Sequence, residues 1–306
     1  MNDYLTYKSA LGETPEFLKK YLDLDIMQRL KGISLLCGMD YASKYAYDFK
    51  YYISRYDHSL DVALIVWNLT HDKRATLAGL FHDISTPVFS HVIDYMNKDY
   101  IKQESTEEKT LEILMSSNGL KKCLKQDNIS LQEIADFKKY SLVDLDRPAL
   151  CADRLDGTIC SGINWTKSID GETSKDIIND LILVKNEFNQ DEIAFKSEKY
   201  AKRFSDLNDE INEITHSNND NYMMQLLADI VRLSIKLEIV DYESLYYLTE
   251  EDVINCIEDN LDLSDELNRK WNLFKNIKDI PIIELPEVKN KIISPIVVDK
   301  RLKRML

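Results

Sequence analysis

The sequence predicts an all-α fold, on three observations. Apolar residues recur at helical spacing through most of the 306 residues. Glycine and proline are scarce, at 8 and 6 residues, whereas strand-and-turn architectures need them at their corners. Only the stretch after Ile280 changes character, to β-branched runs interrupted by proline.

Taken in order, Thr14 opens a helical run over 14–36 in which Leu18, Tyr21, Leu22, Ile26, Leu30 and Ile33 recur. Residues 40–56 carry Tyr41, Tyr45, Tyr47, Tyr51, Tyr52 and Tyr56 with little period. They read as an irregular connection packed on the core, the tyrosines filling space and hydrogen-bonding at its rim. Residues 58–70 are apolar nearly all round and predict a central, buried helix. The next helix, 73–83, stops before Pro87, and another runs over 88–96. Helices follow at 103–117, at 130–138, and at 146–162 with its end at Gly162. Residues 179–188 and 191–207 suggest further helices, 223–239 is strongly periodic, and 252–261 and 265–277 complete the set. Residues 280–285 and 291–298 pair as two short strands at an edge. A soft boundary near 165–190 divides the chain into 1–170 and 171–306.

Composition narrows the function classes. With 39 Lys and Arg against 53 Asp and Glu, the net charge is −14. A duplex nucleic-acid surface needs clustered cations, and the one basic run, Lys300-Arg301-Leu302-Lys303-Arg304, reads as a solvated terminal face. Five dispersed cysteines without a Cys-x-x-Cys read as reduced thiols of a cytoplasmic protein. Met1-Asn2-Asp3-Tyr4 has no signal pattern, and the longest uncharged apolar stretch, around 62–69, is too short for a bilayer. No membrane role is expected.

The chemistry concentrates in His82-Asp83, which ends an apolar helical run and is followed at once by Ile84-Ser85-Thr86-Pro87. A lone histidine is usually structural. Here His58 opens the preceding buried helix, and Asp153 lies on a helix flanked by Leu150, Cys151, Ala152 and Leu155. An aspartate in such surroundings needs a partner, and one metal ion would satisfy all four side chains. Two nitrogens and two oxygens suit one divalent first-row ion, Mn, Fe, Co, Ni or Zn, with Mg also admissible. An octahedral shell would keep two positions open, which are the needs of metal-assisted hydrolysis. Arg55 and Arg154 stand beside the ligand residues as planar forks for a phosphate.

These residues resemble the HD-domain metal phosphohydrolases, with their His…His-Asp…Asp signature, and most closely the deoxynucleoside triphosphate triphosphohydrolase branch. Four segments carry the resemblance: Gln28-Arg29-Leu30-Lys31-Gly32-Ile33, Arg55-Tyr56-Asp57-His58-Ser59-Leu60, Gly79-Leu80-Phe81-His82-Asp83-Ile84 with Phe89-Ser90-His91, and Asp153-Arg154-Leu155-Asp156. A weaker one is Lys289-Asn290-Lys291-Ile292-Ile293-Ser294-Pro295. The resemblance implies an HD-domain helical core, an additional C-terminal helical region and a short β-like C-terminal hairpin. It implies His58, His82, Asp83 and Asp153 as metal ligands, Arg55 and Arg154 as phosphate contacts, and His91 as a residue lining the substrate site. It also implies a homo-oligomer that takes a nucleotide or related small phosphate ester.

The departures fall around the metal. Where the branch has Gly-His this chain has Ser85-Thr86, and where it has a catalytic His-Glu pair this chain has Gln103-Glu104. Leu35-Leu36 replaces a Gln-Leu that contacts the deoxynucleoside, Gly157 a tyrosine and Ser161 an aspartate. Neither threonine nor glutamine titrates near neutral pH, which leaves Asp83 and Glu104 as carboxylates for proton handling. Two readings follow: a metal-dependent phosphohydrolase, or a degenerate HD protein that binds metal and nucleotide as a sensor or scaffold.

Overall fold

The computed structural model describes residues 2–101, 109–284, 286–298 and 303–304. It is mostly helical. The helices are α1 (Asp3–Ala10), α2 (Glu16–Leu22), α3 (Asp25–Arg29), α4 (Arg55–Thr70), α5 (Lys73–Phe81), α6 (Val92–Asn97), α7 (Thr110–Ser116), α8 (Asn118–Asp127), α9 (Gln132–Ala135), α10 (Ala152–Ser161), α11 (Gly171–Asn179), α12 (Glu198–Thr215), α13 (Asn218–Lys236), α14 (Glu250–Glu258) and α15 (Asp265–Asn276). A small sheet joins β1 (Leu181–Lys185), β2 (Asp191–Phe195), β3 (Ile296–Val297) and β4 (Lys303–Arg304) in that order. No described helix is long and apolar enough to cross a membrane.

The antiparallel pair α4–α5 organises the molecule. Its polar start is set by a capping box, in which Ser54 and Asp57 satisfy each other's backbone N–H groups. The α4 helix closes at His71 in the left-handed conformation, and Asp72 caps α5 at once by accepting from the Arg74 and Ala75 N–H groups. Gly79 lets the two helices approach, since a Cβ there would lie 3.3 Å from Val62. The pair parts two apolar clusters. Ala63, Leu77, Leu80 and Phe81 face the first, with α2, α6, α8 and α13–α15. Val62, Leu64, Ile65, Val66 and Ala78 face the second, with α1, α10–α12 and the sheet. Both clusters draw residues from either side of residue 170.

Several sequence expectations change. The 14–36 run is broken, because Leu24 is extended and α3 restarts at Asp25. The 88–96 helix begins only at Val92, since Phe89 and Ser90 adopt positive φ. Of 103–117, the part from Thr110 is helical as α7, and 102–108 lie outside the described residues. The helix expected over 146–162 starts at Ala152, and Gly162 does not stop it. The chain continues there as a π turn, Gly162–Thr166. Residues 179–188 and 191–207 are not two helices. Leu181-Ile182-Leu183-Val184 forms β1, and Asn186 accepts from the Phe188 and Gln190 N–H groups to turn the chain into β2, so helix resumes only at Glu198. The α8 helix has no counterpart in the sequence reading, although Ser117 caps it and Asn128 closes it. At the C-terminus, β3 pairs parallel with β2 and antiparallel with β4. The described part of 280–285 forms no strand, as Pro281 and Pro286 would interrupt a ladder.

Three of these features hold the future site. Leu150 is bonded to β2 on both backbone groups, to Glu192 Oε1 through N–H (3.2 Å) and from Ile193 N–H through its carbonyl (3.3 Å), which fixes the entry to α10. The tyrosine-rich connection is pinned to the π turn, where Asn164 accepts from the Lys50 and Tyr51 N–H groups and donates to the Tyr51 carbonyl. The Ser34–Ser54 bridge ties the end of the opening region to the start of α4. Loss of the α4 cap is the simplest test of this frame. Ser54→Ala is expected to lower stability by about 1 kcal/mol, read as a lower urea midpoint with an unchanged denaturant slope.

Candidate metal centre

Helix length explains why distant residues meet. The α4–α5 hairpin turns at His71–Asp72, so residues a similar distance on either side of the turn reach the same end of the pair. His58 lies in the first turn of α4 and His82 just past the last turn of α5, with ring centroids 5.2 Å apart. The α10 helix packs on α4 and brings Asp153, from its own first turn, to the same point.

Four ligand atoms converge. Asp153 Oδ1 lies 3.1 Å from His58 Nε2 and 3.7 Å from His82 Nε2. Asp83 Oδ2 lies 3.7 Å from each of the same two nitrogens. The other ring nitrogens are fixed from behind: His58 Nδ1 by Asp156 Oδ2 at 2.6 Å, and His82 Nδ1 by the Gly79 carbonyl at 2.7 Å. These contacts point both Nε2 atoms at the two carboxylates. His82 Nε2 is buried and finds no hydrogen-bond partner among the described residues. An orphaned imidazole nitrogen facing two carboxylates fits a divalent ion, which His58, His82 and Asp83 would hold, joined by Asp153 Oδ1 from beside the two Nε2 atoms.

The electrostatics say the same. Burial alone would lower the His58 pKa. Hydrogen bonds to Asp153 and Asp156, with the Asp156 and Asp83 charges, reverse that and push it up to about 10. His82 is also raised, since the Asp83 charge and the Asp153 carboxylate outweigh burial. Burial opposes the charged form of Asp83, yet Arg55, His82 and His58 hold it well below the usual carboxylate range. Asp153 is held low by the two histidines in the same way. A site that draws protons onto two buried imidazoles is a site that lacks positive charge. Two other acid clusters already have a cation side chain: Lys8 sits 2.7 Å from Asp61, beside Asp156 and Cys160, and Arg154 sits 3.0 Å from Asp144, beside Cys151 and Asp153.

Three of the four ligand residues, His82, Asp83 and Asp153, line a cavity of about 750 Å³, with His58 buried behind them. Arg55 lines it and donates to Asp83 Oδ2 at 2.7 Å, so it braces a ligand as well as facing the cavity. Arg154 lines it too, but its guanidinium is committed to Asp144 and to the Ala149 carbonyl. His91 is on the wall, with Nδ1 2.8 Å from Asp94 Oδ2. Thr86 is buried and donates to Asp83 Oδ1 at 3.2 Å. Glu104 and Gln103 lie outside the described residues.

Sequence reasoning missed several wall residues. Arg147 and Lys291 line the cavity, and neither forms an ion pair among the described residues. No motif marked Arg147 as cavity-lining, whereas Lys291 lies in the weaker C-terminal match. Tyr47, Phe49 and Trp165 form an aromatic wall. Tyr47 and Phe49 stack at 5.2 Å, and Trp165 meets Phe49 edge-on at 5.9 Å. Asp156 was visible three residues after Asp153, on the same helix face.

Residues 55–157 match the family model of the HD domain. Over these residues the chain is similar to the HD domain. Over 134 residues it is 29% identical to YdhJ, an uncharacterized protein of Bacillus subtilis, a match covering 44% of this chain and 39% of that protein. Over 116 residues it is 28% identical to the metal-dependent phosphohydrolase cns2 of Cordyceps militaris, covering 38% of this chain and 33% of that one. The chain thus spans between a third and two-fifths of the length of these curated relatives. Two solved structures share the fold at a TM-score of 0.59: a hypothetical protein from Aquifex aeolicus (18% identity, 85% of this chain and 71% of that one) and a phosphohydrolase from Bacteroides thetaiotaomicron (17% identity, 86% and 74%). The likeness to the HD domain lies over 55–157, and the two solved structures show a shared fold.

The raised His58 pKa gives a signed prediction. Its stabilisation is complete below the unfolded imidazole value of roughly 6.5 and is lost as pH rises through about 10. The thermal midpoint of metal-stripped protein should therefore fall between neutral pH and about 10. A divalent ion, which replaces the proton, should remove that fall. A metal-stripped His58→Gln protein with the same pH slope would contradict the assignment.

Proposed function

We propose that this HD-domain protein is a metal-dependent phosphohydrolase acting on a nucleotide or a related small phosphate ester. One observation carries the reading: His82, Asp83 and Asp153 line a cavity whose walls also bring Arg55, Lys138, Arg147, Arg154, Lys289 and Lys291 together, in a chain of net charge −14. Concentrating cations on one concave wall of an acidic protein suits an anion that enters that cavity.

A divalent ion held by His58, His82, Asp83 and Asp153 would supply Lewis acidity and a water of lowered pKa. The chain's own residues do the rest. Arg147 and Lys291, free of carboxylate partners among the described residues, are available to phosphoryl oxygens. Arg55 holds the Asp83 carboxylate in place while keeping its charge beside the reacting group. His91, pinned at Nδ1 by Asp94, keeps Nε2 as the free ring nitrogen for carrying a proton to the leaving group. The half-buried Phe49 and Trp165 offer a flat apolar surface to a planar ring, which supports a nucleotide over a simple sugar phosphate.

The finer likeness to the triphosphohydrolase branch is part of this proposal, with an altered pocket. A side chain at Gly157 would meet nothing within 4 Å, so the space that the branch fills with tyrosine is open cavity here. Leu35 and Leu36 line the cavity where the branch has a polar contact. These changes favour a different or bulkier substrate than a deoxynucleoside triphosphate. The sensor reading keeps one observation in its favour. Thr86, in place of a histidine, spends its hydroxyl on Asp83 and cannot act as an acid.

The test is metal content by elemental analysis, followed by incubation with a panel of nucleotides and generic phosphoesters. Turnover is expected, falling to background in His82→Ala and Asp83→Ala. Metal and nucleotide binding without product would leave the sensor reading, and protein unable to bind metal would exclude both. Since base–aromatic stacking is worth about 1–3 kcal/mol, Trp165→Ala should raise KM roughly five-fold or more with kcat little changed.

A further inference from the structure

Behind the metal centre lies a buried polar chain that the proposed chemistry does not use. His58 Nδ1 meets Asp156 Oδ2 at 2.6 Å, and the second oxygen of Asp156 accepts from the Tyr7 hydroxyl. The Cys160 thiol also approaches Asp156, at 3.5 and 3.7 Å from its two oxygens. Asp156, Tyr7 and Asp61 are fully buried. One turn beyond His58 on α4, Asp61 binds Lys8 Nζ at 2.7 Å and accepts from the Tyr4 hydroxyl at 3.3 Å. Tyr4, Tyr7 and Lys8 all come from α1, the first helix of the chain.

The two histidines are therefore braced differently. The Gly79 carbonyl that receives His82 Nδ1 is a neutral acceptor on the same helix turn. His58 instead has a full carboxylate behind it, whose rotation is stopped by a hydroxyl from another part of the chain. A carboxylate behind an imidazole fixes the Nε2 lone pair toward the cavity and makes that nitrogen a stronger donor. The α1 helix cannot drift from this position. The Gly171 N–H donates to Asp3 Oδ1 at 3.1 Å, and a Cβ at Gly171 would lie 2.6 Å from the Asp3 carbonyl oxygen and from Thr6 Cβ, so the close seat of α1 requires a glycine there.

We infer that α1 is a working part of the metal centre: Tyr7, through Asp156, is a positioning residue for His58, and Lys8 offsets the Asp61 charge that would otherwise sit uncompensated beside that carboxylate. The inference rests on the proposed metal site. It does not depend on which substrate the protein takes.

Co²⁺ titration of the full chain tests it, with visible absorption reporting the ligand field. Wild-type protein must first bind one equivalent, and failure there would count against the metal site itself, apart from α1. Given that binding, Asp156→Asn is expected to weaken Co²⁺ affinity by about 10–100-fold and to shift the absorption band. Tyr7→Phe, which removes only a hydroxyl, should weaken it several-fold with a smaller shift in the same direction. Gln126→Ala, remote from the centre, should change neither. A merely structural role for Tyr7 would lower thermal stability but leave affinity and band position at wild-type values, and that result overturns the inference. Should Asp156→Asn fail to fold, Tyr7→Phe alone decides.

Discussion

Everything in the centre of this molecule answers to one constraint: three carboxylates, of Asp83, Asp153 and Asp156, crowd two buried imidazoles. Carboxylates so close together are tolerated only with positive charge among them. Arg55 supplies part of it, at 2.7 Å from Asp83, and the same carboxylates raise the pKa of both histidines. A divalent ion would supply it without asking an imidazole to stay charged. The α4–α5 hairpin, the β2 contact that sets the entry to α10, and the seat of α1 on Gly171 all serve to keep these groups within a few ångströms.

The same constraint separates the side chains that hold the site from those left facing the cavity. Arg154, expected at the phosphate, is spent on Asp144 and a backbone carbonyl, whereas Arg147 and Lys291 face the cavity without carboxylate partners among the described residues. Arg55 sits between these roles, bracing Asp83 while remaining on the wall. Gly157 leaves open space on the cavity wall, since a Cβ there would meet nothing within 4 Å.

How much of this was legible in the sequence depends on the range of the interaction. His58, His82, Asp83 and Asp153 were legible because each sits at a helix end in an apolar setting, where a polar residue needs a reason. The helical class was legible from periodicity, and the buried helix 58–70 from its apolar circumference. The β1–β2 hairpin was not, since Leu181-Ile182-Leu183-Val184 is too short for its period to separate strand from helix. The start of α6 was hidden by the positive φ of Phe89 and Ser90, a backbone feature without a glycine to announce it. Arg147, the aromatic wall and the link from Tyr7 to Asp156 depend on which distant segments pack together. Tyr7 and Asp156 are 149 positions apart, and nothing local in either marks the pairing.

The account stands or falls on whether one ion is bound by two imidazoles and carboxylate oxygens at this point. X-ray absorption at the metal edge of protein loaded with one equivalent of Zn²⁺ measures that directly. The account predicts a shell of nitrogen and oxygen with the multiple scattering of two imidazoles and no sulfur. A shell containing thiolate sulfur, or one whose imidazole signature is unchanged in His82→Ala, would contradict it.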